Sequence, residues 1–133
     1  MCLDTRRGMK VLKKDTTVYK VVAHTYDTNG YIFLRPLFFP TGIVFKHGEN
    51  RAKVTPVTYY TSKGFKSYPS GYHCFLTHEH AVIYKRFNMA YDADIVAFTI
   101  PAGTEVYTGY TNISISKKRL NLYTLVSPVI ILK

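Results

Sequence analysis

One unbroken stretch, Gly71–Thr104 (GYHCFLTHEHAVIYKRFNMAYDADIVAFTIPAGT), sets the limits on what this chain can become. It reads as a turn, a strand end, a capped helix and a second strand. Thr77 suits an N-cap, because its hydroxyl can accept a bond from an otherwise unpaired amide of the first turn. Glu79 then falls near the positive end of the helix dipole. No Gly or Pro occurs from His78 to Tyr91. At about 3.6 residues per turn, Ile83, Phe87 and Ala90 share one side, flanked by Tyr84 and Tyr91. Lys85 and Asn88 point away, with Arg86 at the border. The spacing predicts one amphipathic helix over 78–91, ended by Asp92-Ala93-Asp94. Ile95–Ile100 (IVAFTI) is a short apolar run rich in β-formers, which fits a buried strand. Pro101-Ala102-Gly103 stops it.

The flanks read as short strands with basic loops. Residues 1–14 carry Arg6, Arg7, Lys10, Lys13 and Lys14 against Asp4 alone, the pattern of a basic arm. Thr16–Thr25 alternates as a strand, with Val18, Lys20, Val22 and His24 on one face and Tyr19, Val21 and Ala23 on the other. Asn29-Gly30 is the strongest hairpin signal in the chain, and Tyr31–Phe39 is its partner strand, with Pro36 marking a break or an edge. A short strand follows at Ile43–Lys46, then a polar loop at His47–Asn50. Arg51–Tyr60 has strand propensity around Pro56, and Thr61–Ser70 reads as a loop. Strands then follow at Thr104–Tyr110, Leu120–Val126 and Val129–Leu132, with Thr111–Ser116 alternating and Lys117-Lys118-Arg119 a compact basic run. The sum is an α+β fold, mostly antiparallel β-sheet of about seven to nine short strands with one main helix packed on it.

Length and composition narrow the class. A chain of 133 residues, 47% hydrophobic, fits one domain with a real core. Two cysteines, Cys2 and Cys74, do not make a disulfide framework and suggest a reducing, cytoplasmic setting. The first ten residues lack the apolar core of a signal peptide. No run reaches the roughly 18 apolar residues of a membrane helix. The charge speaks for a partner: 18 Lys and Arg against 8 Asp and Glu give +10. Such an excess favours anionic partners, whether a nucleotide, nucleic acid or an acidic protein or membrane surface, with a nucleotide-type molecule as the leading expectation and no membrane partner expected. The proline-bearing edge strands leave room for a homo-oligomer.

The residues nominate a ligand site more readily than a reaction. Free amides at the start of the Thr77 helix form a natural anion site. Lys20, Arg35, Lys63, Lys66 and the run Lys117, Lys118 and Arg119 are its candidate cations. Tyr60 and Tyr72 lie between the basic loop and the helix, where rings can stack on a base, and His73 is a polar group at the helix start. His73, Cys74, His78 and His80 have no metal-site spacing, since His78 and His80 lie about 200° apart around a helix. There is no nucleophile elbow, P-loop or dinucleotide fingerprint. A non-enzymatic binding protein with no cofactor or metal is the expectation.

The order Met1-Cys2-Leu3, VYKVV at Val18–Val22, GYHCF at Gly71–Phe75 with Ala81 in the following helix, and IPAGTEVYTG at Ile100–Gly109 resembles a group of small phage and gut-bacterial proteins. That resemblance implies a mobile-element origin and a counter-defence setting, such as sequestering an immune signalling nucleotide. Tyr19-Lys20, Gly71-Tyr72-His73 and Glu105 also show a fainter similarity to ADP-ribosyltransferase-like folds. This implies NAD-using transfer by Lys20, His73 and Glu105, or the same layout kept as a binding scaffold. Lys20 stands where that family carries Arg, and Glu105 has no second Glu beside it.

Overall fold

The computed structural model describes residues 3, 5–26, 28–29, 32–37, 44–53, 56–61 and 64–133. In chain order they form β1 (Thr5–Val11), β2 (Thr16–Tyr26), β3 (Ile32–Pro36), β4 (Gly48–Arg51), β5 (Pro56–Thr61), β6 (Gly64–Pro69), β7 (Tyr72–Phe75), α1 (His78–Phe87), β8 (Asp94–Ile100), β9 (Glu105–Ile115), β10 (Lys118–Ser127) and β11 (Val129–Leu132). The architecture is α+β: a nine-stranded antiparallel sheet, a separate β5–β6 hairpin and one helix among the described residues. None of the described helices is long and apolar enough to cross a membrane.

The sheet runs β1-β9-β10-β7-β2-β8-β11-β4, with β3 paired to the C-terminal half of β2. β10 and β11 are two halves of one strand, separated only by Pro128. The first half pairs with β9 and β7, the second with β8 and β4. The ladder therefore leaves this strand through β7, β2 and β8 and returns to its own continuation. A sheet connected in that way must coil into a small barrel. Ser127 fixes the corner: its hydroxyl donates to the Val129 carbonyl at 2.6 Å and accepts from the Val129 amide at 3.3 Å.

Strand alternation gives the sheet an inner and an outer face. The register places Val18, Lys20, Val22, Cys74, Phe98, Ile100, Val106, Thr108 and Leu125 on the inner face. Their apolar members, with Phe45, Ile130 and Leu132, form the main buried cluster. The outer face has two covers. Helix α1 lays Ala81 and Tyr84 over Val21, Phe75, Ile113 and Leu122. At the other end, Tyr68 of β6 and Leu3 pack on Val126 and Tyr107, with the two tyrosine rings stacked at 5.2 Å.

Thr77 caps α1 as its sequence position implies, in an extended conformation with its Oγ1 accepting from the His80 amide at 3.1 Å. The helix ends at Phe87 rather than Tyr91, because Met89 turns left-handed at φ 53°. The Met89 amide donates to the Arg86 carbonyl and the Ala90 amide to that of Lys85, both at 3.1 Å, which is the Schellman closure that normally takes glycine. Met89 is 72% exposed and gains little from packing. Met89→Gly is therefore expected to raise stability by about 1 kcal/mol, read as a higher urea midpoint at unchanged slope.

Other departures from the sequence reading are tertiary in origin. Residues 47–50 look like polar loop, yet residues 48–50, with Arg51, pair with the apolar β11. Residues 64–69 look like loop too, yet pair with β5 throughout. Residues 105–115 are one long strand rather than two pieces, and residues 5–11 of the basic segment pair with β9 as β1. The short strand expected at 43–46 reduces, among the described residues, to a single bridge between Leu34 and Phe45.

Candidate ligand-binding face

Beyond the barrel, β1, β9 and the start of β10 continue as a three-stranded extension. Its outer side is apolar and holds α1 through Ile113, Ile115, Leu120 and Leu122. Its inner side is polar, because at this end the inner face has left the barrel. The register lines up Tyr110 opposite Tyr123, Asn112 opposite Asn121 and Ser114 opposite Arg119 on that side. The two tyrosine rings meet edge to face at 5.6 Å. Arg7 sits at the bulge of β1, with its guanidinium carbon 5.3 Å from the centre of the Tyr110 ring. Arg7, Ser114, Arg119 and Asn121 are exposed, and both tyrosines are half-buried. A guanidinium over one ring, a second ring edge-on to it, and Asn112, Asn121 and Arg119 farther along the same side supply the kinds of group that take a base and its phosphate.

The turn at the tip of the extension is strained. Ser116 and Lys117 have φ of 50° and 64°, the left-handed pair of a two-residue hairpin, without the Asn-Gly that suits it. This turn carries Lys117, Lys118 and Arg119, all exposed. By register only Arg119 of the three shares the tyrosine side; Lys118, opposite Ile115, lies on the other. Tyr110 and Tyr123 are not conspicuous in the sequence, but the signal was available. A hairpin centred on Ser116-Lys117 pairs residues equidistant from it, and the two tyrosines are such a pair.

The other residues nominated from the sequence are dispersed. Lys20 lies inside the barrel, and its Nζ donates to the His73 carbonyl at 2.6 Å. That carbonyl is available because β2 and β7 pair at one position only, Tyr19 with Phe75, and then part. Arg35 is exposed on β3 opposite Ala23, on the outer face and so away from Lys20. Tyr72 packs on Phe45 with ring centres 5.8 Å apart, and Thr77 caps the helix. Tyr60 and Lys66 are at adjacent register positions of the β5–β6 hairpin. Lys63 lies outside the described residues.

Burial governs the electrostatics around Lys20. It pushes the ammonium below the ordinary lysine range, while the adjacent Cys74 acts the other way. The Cys74 thiol is pushed up to about 11 by burial against an opposing effect of Lys20, so it is not a poised nucleophile. Burial also raises the Tyr72 hydroxyl, with a smaller push from Cys74. His73 is lowered to about 3, by burial first and then by the Lys20 charge, against a hydrogen bond to the Gly71 backbone. Its ring is neutral at physiological pH, and its buried Nε2 has no hydrogen-bond partner among the described residues.

The set Lys20, His73 and Glu105 does not converge. Lys20 is on the inner face, whereas Glu105, at odd register from Val106, is on the outer one. No group of three or more His, Cys, Asp or Glu side chains is placed to hold a metal ion among the described residues. No protein-family model, curated protein or solved structure matches the chain.

Proposed function

We propose that the protein is a non-enzymatic binder that captures an anionic, base-bearing ligand of nucleotide type on the inner side of the β1–β9–β10 extension. The observation that carries this reading is the Arg7–Tyr110–Tyr123 group, a stacked guanidinium and two rings on one half-exposed strand face. In this reading Tyr110 and Tyr123 receive the base, and Arg7 and Arg119 face its phosphate. The net charge of +10 adds long-range attraction for such a ligand. Capture without turnover would suffice for a counter-defence role, in which a phage-borne protein sequesters an immune signalling nucleotide.

A thermal-shift panel of mono-, di- and cyclic nucleotides with NAD, at low and moderate salt, tests the reading. A ligand at a hundredfold excess over its Kd adds about 2.7 kcal/mol, which raises the midpoint by several degrees. The shift is expected to persist at moderate salt and to vanish in Tyr110→Ala, since base stacking on an aromatic ring contributes about 1–3 kcal/mol. A flat panel would overturn the proposal in favour of an acidic protein partner. An equal shift in Tyr110→Ala would place the ligand elsewhere.

A further inference from the structure

A second site of different chemistry opens on the outer face. Its cavity of about 620 Å³ lies where β1 and β9, at one margin of the sheet, approach β4 and β11 at the other. That volume is in the range of small-molecule sites. Met9, Tyr107 and Val129 are among its apolar walls, and Glu49, Arg51 and Glu105 are its ionisable side chains.

The polar inventory favours a cation, with two carboxylates, Glu49 and Glu105, against one guanidinium, Arg51. Arg51, the one cation of the lining, is already held by Glu49 through two bonds of 2.8 and 3.0 Å. The amides of the 102–104 loop are also spent. Ala102 donates to Asp15, Gly103 to the Leu12 carbonyl and Thr104 to the Pro101 carbonyl. What is left is the Glu105 carboxylate, which has no ion-pair or hydrogen-bond partner among the described residues. A carboxylate beside an aromatic ring and apolar walls selects an organic cation. The +10 charge of the chain repels cations at long range, but salt screens that repulsion beyond about 10 Å and leaves the local carboxylate dominant.

We propose that this cavity binds a small organic ammonium compound, its charged nitrogen on Glu105 and its apolar body between Met9, Tyr107 and Val129. The site is independent of the nucleotide reading. The test is titration calorimetry with 2-phenylethylamine, its neutral analogue 2-phenylethanol and its anionic counterpart 3-phenylpropionate, at moderate salt. The amine is expected to saturate one site with a Kd of about 1 mM or tighter. The alcohol should bind at least about tenfold more weakly, and the acid not at all. Glu105→Gln should weaken the amine about tenfold while leaving the alcohol unchanged. Met9→Lys, at a residue 47% exposed, should weaken the amine without disturbing the fold. Failure of the amine to saturate, equal binding of amine and acid, or an amine affinity indifferent to Glu105→Gln would each overturn the assignment.

Discussion

Gly71→Ala is expected to destabilise the protein by about 3 kcal/mol or more and to leave little soluble folded material. A Cβ at position 71 would lie 2.5 Å from the Ser127 carbonyl oxygen and 2.9 Å from its carbon, closer than real Cβ atoms come to backbone. Relief by local movement is not open. Ser127 is pinned by its pairing with Tyr72, by the bonds of its hydroxyl to Val129 and by the Pro128 corner that closes the barrel. The substitution therefore either breaks the β7–β10 register or opens the closure between β10 and β11. A urea midpoint close to wild type would show that the corner yields, and would contradict the tight barrel closure described above.

The second large effect is a loss of stability in acid that belongs to His73. The folded-state value of about 3 lies below the ordinary 6.5. Between those values the unfolded chain takes up a proton that the native protein does not, so stability falls as pH falls. The contribution is complete above about pH 6.5 and is lost at up to about 1.4 kcal/mol per unit toward pH 3. By pH 5 that amounts to about 2 kcal/mol. Lys20 contributes with the same sign but at alkaline pH. As a base lowered by burial, it makes the native state more stable as pH rises toward the ordinary lysine range. His73→Phe removes the acid dependence, so its unfolding free energy should lose about 2 kcal/mol less than wild type between pH 7 and pH 5. Parallel curves for the two proteins would show that the ring is protonated in the native state.

Much of the fold was legible because its signals are local. Thr77 needed only its own hydroxyl and three following residues to declare a helix start. β2 and β3, which flank the Asn29-Gly30 signal in the sequence, pair antiparallel, and the alternation of Val18, Lys20 and Val22 against Tyr19 and Val21 survives in the register. What stayed hidden depends on distant partners. Residues 64–69 carry Gly64, Lys66, Ser67 and Pro69, which have little strand propensity, and Tyr68 reveals itself only through its stack on Tyr107. Barrel closure is invisible in Leu120–Leu132, whose two halves read correctly as strands without showing that they pair with different neighbours.

The site was harder for the same reason. Lys20 looks like a cation for a ligand, but a cation on a strand can equally satisfy a carbonyl stranded where two strands part. The two readings differ only in the pairing of β2 with β7, which is long-range. Tyr110 and Tyr123 come together across a hairpin whose turn, Ser116-Lys117, lacks the residues that usually announce one. Arg119 alone of the nominated basic run reaches their side.

The most direct test of the account is to follow the tyrosine side chains by NMR while titrating the nucleotide that gives the largest thermal shift. Upfield movement of the Tyr110 and Tyr123 ring signals is expected, as for a base stacked on them, with shifts of the Arg7 and Arg119 side chains and none at Thr77 or Lys20. Saturable binding that moves the Thr77–His80 amides and leaves both rings unshifted would contradict it.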